Sequence, residues 1–284
     1  IKTKWDICLR KLSNIMTIRM TDLLYFHVDA FADRPFTGNQ AAVMPLAQWL
    51  DDDVLQAIAE ENNFAETAFY VPDQTGAADY ELRWFTPEVE IRLCGHATLA
   101  SGHIILSQNP AIDRVTLRTR KAGILEVRRE GGGYAVALPA IPTEQVDNPE
   151  MMAAMGGKPL SMRSNPDSYN MFVYATAAEI LALKPDMKAL ATLGDDSFTA
   201  TARGEDTDIV SRVFVPGAGV DEDSVTGSAH AVLTPYWAAE LGRDNFTAYQ
   251  ASARGGYLGC RLDGERVWLS GHCFTVVKGM FSLR

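Results

Sequence analysis

Short segments with alternating apolar and polar positions dominate the chain, and such alternation is typical of β-strands. Residues 24–31 alternate in this way and predict the first strand. Residues 51–63 differ, because apolar residues recur there at helical spacing behind Asp51, a good N-cap residue. A second short helix is predicted at residues 149–155. Further strands are predicted at residues 41–44, 65–71, 80–85, 114–119, 124–129, 134–138, 168–174, 208–215, 246–250, 258–262, 266–270 and 273–279.

Two longer segments, residues 97–106 and 228–241, lack a polar face. A helix that is apolar nearly all round is typically buried. Each segment is preceded by a Gly-x-Ala sequence, which starts at Gly95 in the first case and at Gly227 in the second. Strands outnumber helices and most connections are short enough for hairpins, which indicates an α+β fold. The two halves therefore share one plan of mixed strands, a loop and a central apolar helix, which predicts an internal duplication.

The length of 284 residues is sufficient for two domains. A proline-rich segment at residues 139–142 separates them, so the N-terminal domain is expected at residues 21–142 and the C-terminal domain at 143–271. Residues 1–20 are basic and have neither strand nor helix periodicity. A transit peptide has a similar composition, but we favour a non-native or disordered extension.

Composition and charge exclude several classes of function. The net charge of -10 at pH 7 argues against a nucleic-acid partner, which requires clustered Lys and Arg. No apolar run of about 18 residues is present, so no membrane span is expected. The four cysteines form no Cys-x-x-Cys pair, which predicts reduced thiols and a cytoplasmic location. Nucleotide-binding glycine motifs and metal-ligand spacings are also missing, so no cofactor and no metal are expected.

Glu66 is the first candidate for chemistry, because it lies in an otherwise uncharged strand. Alternation places it on the same face as Ala68 and Tyr70. A carboxylate in such surroundings suits a general acid or base. His96 follows Gly95 at the predicted start of the first apolar helix, where free N–H groups and positive partial charge favour a substrate carboxylate.

Residues 217–226 are polar and acidic and are predicted to form a loop that leads into the second apolar helix, and Asp223 lies in this segment. The ordinary role of such a residue is helix capping. The alternative is a contact with a substrate amine or hydroxyl, if the two helix starts face each other across a cleft. Ordinary structural roles also stay open for the other two residues at this point. Glu66 could simply face solvent at the edge of a strand, and His96 could cap the helix or pack in the core.

Four ordered motifs resemble the phenazine-biosynthesis PhzF-like family. The likeness runs from about Leu24 to the C-terminus. The motifs are FHVDAF at 26–31 with PFTGNQAAV at 35–43, FAETAF at 64–69, RWFTP at 83–87 with CGHAT at 94–98, and EDSVTGSA at 222–229.

The resemblance implies a diaminopimelate-epimerase-like fold of two similar domains, each a curved mixed β-sheet around a central helix, with the site between them. It allows residues 272–284 to return to the N-terminal domain. It also implies an isomerase and, commonly, a homodimer. Glu66 would be the general acid/base, with His96 and Asp223 in support. The residues that would bind a small carboxylate-bearing substrate are Asn39, Gly95, Ala97, Gly227 and Ser228.

Two other functions stay open. The related racemases place two thiols across the cleft, and Cys94 lies near one such position. The second motif offers Asp223 and no cysteine, which argues against a two-thiol racemase or epimerase. A non-catalytic protein that binds a small acid is the third possibility. Substrate identity does not follow from these motifs, because related folds share chemistry more readily than ligands.

Overall fold

The computed structural model describes residues 21–283, so the extension predicted for residues 1–20 lies outside the described residues. The described residues form a single mixed sheet of 18 strands. The strands are β1 (Thr21–Ala30), β2 (Asn39–Pro45), β3 (Glu66–Pro72), β4 (Tyr80–Phe85), β5 (Glu90–Ile91), β6 (Arg114–Thr119), β7 (Ile124–Glu130), β8 (Gly133–Pro139), β9 (Glu144–Val146), β10 (Ser161–Ser164), β11 (Tyr169–Val173), β12 (Ser197–Arg203), β13 (Ile209–Val215), β14 (Val220–Asp223), β15 (Asn245–Gln250), β16 (Gly256–Asp263), β17 (Arg266–Gly271) and β18 (Cys273–Leu283).

Helices fill the spaces between these strands. They are α1 (Asp52–Asn62), α2 (Gly95–Gln108), α3 (Pro149–Met155), α4 (Ala177–Ala182), α5 (Met187–Ala191), α6 (Gly227–Leu241) and a short 3-10 helix at Pro216–Ala218. No helix among residues 21–283 is both long and apolar enough to cross a membrane.

The strand order repeats once along the chain. In the first half β2 is parallel to β3, β3 antiparallel to β4, and β4 parallel to β6, with β5 as a short branch. In the second half β11, β12, β13 and β15 pair in the same order and directions, with β14 as the branch. This repetition supports the predicted shared plan of the two halves.

The halves are joined by strand pairing at three places. β8 and β17 pair antiparallel. Beyond them, each half ends with a strand that crosses to the other half: β9 pairs with β10, and β18 pairs with β1 along its whole length. The last strand therefore does return to the beginning of the chain, as the resemblance allowed. The domain boundaries themselves remain a prediction.

Helices α2 and α6 lie at the centre of the two halves, and both are buried on nearly all sides. The prediction of two buried apolar helices is therefore confirmed. Apolar residues from both halves form one large core around them, which includes Leu99 of α2 and Leu233 of α6. Because this core is shared, the positions of the two helices relative to each other are closely constrained.

Some elements were not expected from the sequence. Helices α4 and α5 are too short to show periodicity, and they are capped by the side chains of Thr176 and Asp186. Strands β5, β9, β10 and β12 were also missed. The segment 217–226 was predicted to be a loop, but it includes part of the 3-10 helix and β14. That prediction was wrong because β14 pairs with only one neighbour and lacks an apolar alternation.

Candidate active site

The N-termini of α2 and α6 meet head to head in the middle of the molecule. A Cβ atom added to Gly95 would lie 2.9 Å from the Cα of Gly227, and one added to Gly227 would lie 2.8 Å from the Cα of Gly95. Real Cβ atoms do not approach other atoms this closely, so only glycine fits at either position. The two helix starts therefore face each other as the sequence suggested. They can approach this closely only because glycine has no side chain.

Glu66 is the first residue of β3, and His96 is the second residue of α2. The Glu66 Oε2 and His96 Nε2 atoms lie 2.8 Å apart. Neither atom has a partner with hydrogen-bond geometry, although both are shielded from solvent. The two side chains therefore form a buried ion pair, in which the Glu66 carboxylate favours the protonated form of His96 and raises its pKa.

Asn39 connects the two halves beneath this pair. Its Nδ2 donates to Asp223 Oδ1 at 2.8 Å and to the Val225 backbone oxygen at 2.9 Å. The same nitrogen lies 3.2 Å from His96 Nδ1. Asp223 also accepts from the Thr226 hydroxyl at 2.5 Å. Asn39 is 2% exposed. Its buried amide therefore holds His96 and Asp223 in place through these contacts.

The turn before Asn39 is held by residues far away in the sequence. Gly38 has a φ of 70°, and a Cβ there would lie 2.3 Å from the Ala30 backbone oxygen. Arg254 donates to the Gly38 oxygen at 2.8 Å and to Asp29 Oδ1 at 2.8 Å. The other Asp29 oxygen accepts from the Phe36 backbone N–H at 2.8 Å. These contacts fix the point at which β2 begins.

Burial and charge set the protonation of the central groups. Burial lowers the pKa of His96, but the neighbouring Cys94 sulfur and the Glu66 carboxylate raise it well above its ordinary value. Burial raises the pKa of Asp223. Burial, with the Glu66 charge, raises the pKa of the Cys94 thiol to about 11. The site therefore combines a neutral thiol with a histidine that favours its charged form.

A cavity of about 460 Å³ opens beside Glu66 and is lined by both halves of the chain. Its walls come from β3 and the β4–β5 turn on one side, and from β11, β12 and the β13–β14 turn on the other. Five carboxylates line it, and no Lys or Arg does so among the described residues. The five are Glu66, Glu88, Asp167, Asp195 and Asp223.

The predicted site residues lie in two layers. Glu66, Asp223 and Ser228 line the cavity itself. His96 lies directly behind Glu66, and Asn39 lies behind Asp223. The small residues Gly95, Ala97 and Gly227 are buried at the helix junction and do not line this cavity. Their predicted contacts with substrate stay a prediction.

Three residues that line the cavity or stabilise the segment around Asp223 were not identified from the sequence. Tyr169 and Ser197 line the cavity from the second half, and the Ser197 Oγ is buried without a hydrogen-bond partner. Gln250 accepts from the Thr226 backbone N–H at 2.8 Å and donates to the Asp223 backbone oxygen at 2.8 Å. Nothing in their spacing connects these residues to Glu66, so only the tertiary structure could identify them.

Comparisons with known proteins bear on the family and the fold of the chain. The family model described as phenazine biosynthesis-like protein matches residues 28–279. An uncharacterized isomerase of Pseudomonas aeruginosa is 45% identical over 92% of this chain and 100% of its own length. The crystal structure of a PhzF-family phenazine biosynthesis protein from Enterococcus faecalis superimposes with a TM-score of 0.85, at 39% identity, over 93% of this chain and 100% of that one.

A more distant structure shows the fold alone. The hydroxyproline epimerase of Agrobacterium vitis, solved with bound trans-4-hydroxy-L-proline, has a TM-score of 0.62 at 12% identity. It covers 94% of both chains. The α+β fold with a diaminopimelate-epimerase-like architecture, predicted from the sequence, is therefore confirmed.

The strand topology and the paired helix starts thus define a two-lobed protein with the diaminopimelate-epimerase-like fold, and a cavity lies between the lobes. Within that class, the chain belongs to the phenazine biosynthesis-like family. The predicted enzyme class, an isomerase, is confirmed by these relatives.

Proposed function

We propose that this protein is a cofactor-independent isomerase that moves a proton within a small carboxylate-bearing metabolite, with Glu66 as the general acid and base. The observation that carries the proposal is the position of the Glu66 carboxylate. It lines the cavity between the halves, and its Oε2 lies 2.8 Å from His96 Nε2. A group placed in this way can exchange a proton with a bound molecule.

The proton would travel from one carbon of the substrate to another by way of Glu66. The Glu66 carboxylate takes the proton, and the electron pair left on carbon spreads into an adjacent conjugated system or carboxylate. The resulting carboxylic acid then delivers the proton to a second carbon on the same face, which restores the original carboxylate. His96 would stabilise the negative charge of Glu66 before and after each turnover.

Backbone N–H groups would hold the substrate carboxylate. Because no Lys or Arg lines the cavity among the described residues, the available positive potential comes from the N-termini of α2 and α6 and from His96. The Ser228 hydroxyl lines the same wall. Such fixed donors can also stabilise charge that develops during the reaction. Asp223 would meet an amine or hydroxyl of the substrate.

Racemisation by two thiols has weaker support. Cys94 lies 3.5 Å from His96 Nδ1, but it is 4% exposed and burial raises the pKa of its thiol to about 11. The corresponding position in the second half, directly before α6, is occupied by Thr226, and the segment 222–229 contains no cysteine. An amino-acid racemase would incorporate solvent deuterium at an α-carbon and would be inactivated by Cys94→Ser. A non-catalytic binder would bind its ligand without conversion, with no change in Glu66→Gln.

We further propose a homodimer that resides in the cytoplasm. Among the described residues β18 pairs with β1 along one edge, and its other edge has no register partner. That strand also exposes apolar side chains, with Val277 at 45% and Met280 at 56% exposure. Long apolar edges favour pairing with a second chain. Light scattering coupled to size-exclusion chromatography measures the mass directly, and a mass of one chain would contradict the dimer.

The test of the main proposal is a metabolite screen in which wild type and Glu66→Gln are compared in deuterated water. We expect the wild type to convert the substrate at a rate about 10²–10⁴ times that of the variant. Glu60→Gln is the matched control, because Glu60 is an exposed residue of α1 outside the cavity. Equal turnover by wild type and Glu66→Gln would remove Glu66 from the mechanism.

A further inference from the structure

The repeated strand order gives residues of the first half counterparts in the second half. Strands β3 and β12 both have seven residues, and the last residue of each pairs with the first residue of the strand that follows it. Glu66 is the first residue of β3, and Ser197 is the first residue of β12. The two residues therefore occupy equivalent positions, and both line the cavity between the halves.

The same register continues to the two helix starts. Ile91 pairs with the fifth residue of β4, and Asp223 pairs with the fifth residue of β13. Each of them lies four positions before the glycine that begins the central helix of its half. His96 and Ser228, the second residues of α2 and α6, are therefore counterparts as well.

The equivalent positions carry different chemistry in the two halves. In the first half Glu66 and His96 form an ion pair at 2.8 Å. In the second half both positions are serines, whose hydroxyl groups carry no charge. Tyr169 adds a third hydroxyl, because it is the β11 partner of Ser197 and interacts with the Ser228 side chain. The second half thus contributes neutral hydroxyl groups to the cavity wall.

The Ser197 hydroxyl is the member of this group that has no partner. Its Oγ is shielded from solvent and makes no hydrogen bond within the described part of the chain, whereas Tyr169 and Ser228 interact with each other. A buried polar atom normally has a partner, because its loss of hydration is costly. No hydrogen bond holds the Ser197 side chain in one χ1 rotamer, so its hydroxyl can turn towards a molecule in the cavity.

The surrounding charges indicate which group Ser197 can bind. Asp195 lies two residues before Ser197, and it lines the cavity. Asp167 lies two residues before Tyr169, and it also lines the cavity. These negative charges disfavour a substrate carboxylate on this side, and an ammonium group would bind a carboxylate more strongly than a neutral hydroxyl. A serine hydroxyl can donate to or accept from an uncharged oxygen.

We propose that Ser197 binds an uncharged oxygen of the substrate, while Glu66 transfers the proton from the other half. The substrate would then be a small carboxylic acid with a second oxygen function, a hydroxyl or a carbonyl group. This inference rests on the proposed function for the identity of the site, but binding at Ser197 does not require turnover. Ser197 would therefore select the substrate without taking part in proton transfer.

Benzoate and its monohydroxy isomers are suitable probes, because they are flat conjugated acids without an acidic C–H group for Glu66 to deprotonate. The isomers place the hydroxyl at different distances from the carboxylate. Dissociation constants are measured by ligand-observed NMR for wild type, Ser197→Ala and Ser161→Ala. Ser161 is the matched control, because it is also the half-buried first residue of a strand but lies outside the cavity.

We expect at least one hydroxybenzoate to bind the wild type about three- to tenfold more tightly than benzoate, as one hydrogen bond between uncharged groups allows. Ser197→Ala should lose this preference with its affinity for benzoate unchanged, and Ser161→Ala should keep it. A merely structural role of Ser197 would not change the ratio of the two affinities. A preference that persists in Ser197→Ala, or benzoate binding with no gain from any hydroxyl, overturns the inference.

The result can be separated from the outcome of the Glu66 experiment. A hydroxyl preference that depends on Ser197, in a protein whose Glu66→Gln variant turns over as fast as the wild type, would keep the subsite and reject the mechanism. If no probe binds the wild type, the acid-binding cavity on which both proposals depend is contradicted. With the substrate from the screen, Ser197→Ala should raise KM about three- to tenfold with little change in kcat, whereas Glu66→Gln should lower kcat.

Discussion

Replacement of Gly227 by alanine tests whether the site depends on the close approach of the two helix starts. The new Cβ atom would lie 2.8 Å from the Cα of Gly95 and 3.4 Å from the backbone nitrogen of His96. Both neighbours are backbone atoms, so no flexible side chain can move aside. Helix α2 and helix α6 must instead separate.

The size of the effect follows from these distances. Non-bonded carbon atoms prefer a separation of about 3.5–4.0 Å, so the helix ends must move apart by at least about 0.7 Å. His96 is attached to the displaced backbone, and its 2.8 Å contact with Glu66 would lengthen by a comparable amount. A displacement of about 1 Å in a catalytic group costs about 10²-fold in rate. Overpacking of this kind costs about 1–3 kcal/mol of stability.

Two assays separate these consequences. Urea unfolding measures the loss of stability, and turnover of the substrate found in the screen measures the loss of rate. Gly204→Ala is the control, because its Cβ would lie 2.3 Å from the Thr207 backbone oxygen in a turn outside the cavity. It should lose stability but keep its turnover number while folded. A Gly227→Ala protein that is folded and turns over at the wild-type rate would refute the reasoning.

Two further predictions concern buried polar groups. Burial lowers the pKa of His230 to about 4, so the unfolded chain binds more protons between pH 6.5 and 4. The free energy of unfolding is therefore highest above pH 6.5 and falls by about 3 kcal/mol as the pH drops to 4. In urea titrations at several pH values, His230→Gln should remove this part of the pH dependence. Asn39→Ala leaves the buried Asp223 carboxylate without one hydrogen-bond donor. We expect the free energy of unfolding to fall by about 1–3 kcal/mol and turnover to decrease. An unchanged unfolding midpoint would contradict the positioning role of Asn39.

Much of the architecture could be predicted from local patterns. The period-two segments identified most strands, because a strand with one buried face must alternate. The two segments without a polar face identified α2 and α6 as buried helices, since neither could face water. The resemblance of four motifs then pointed to Glu66, His96 and Asp223, and the structure brings all three to one site.

Other features of the fold and of the candidate site could not be predicted from the sequence, because they depend on contacts between distant segments. Arg254 pairs with Asp29 across 225 positions, and Gln250 supports the loop around Asp223. Short elements such as α4 and β14 have too few residues for a periodic signal, and their partners stabilise them.

The sequence by itself determined which residues must be buried, where the two glycines stand and which side chains can exchange protons, because those properties belong to residue type and spacing. Only the tertiary structure decided that the glycines touch, that Cys94 lies within reach of His96, and that the cavity is lined by carboxylates without a Lys or Arg among the described residues. These features arise when the two halves pair through β8 and β17 and share one core, and no local pattern encodes that distance.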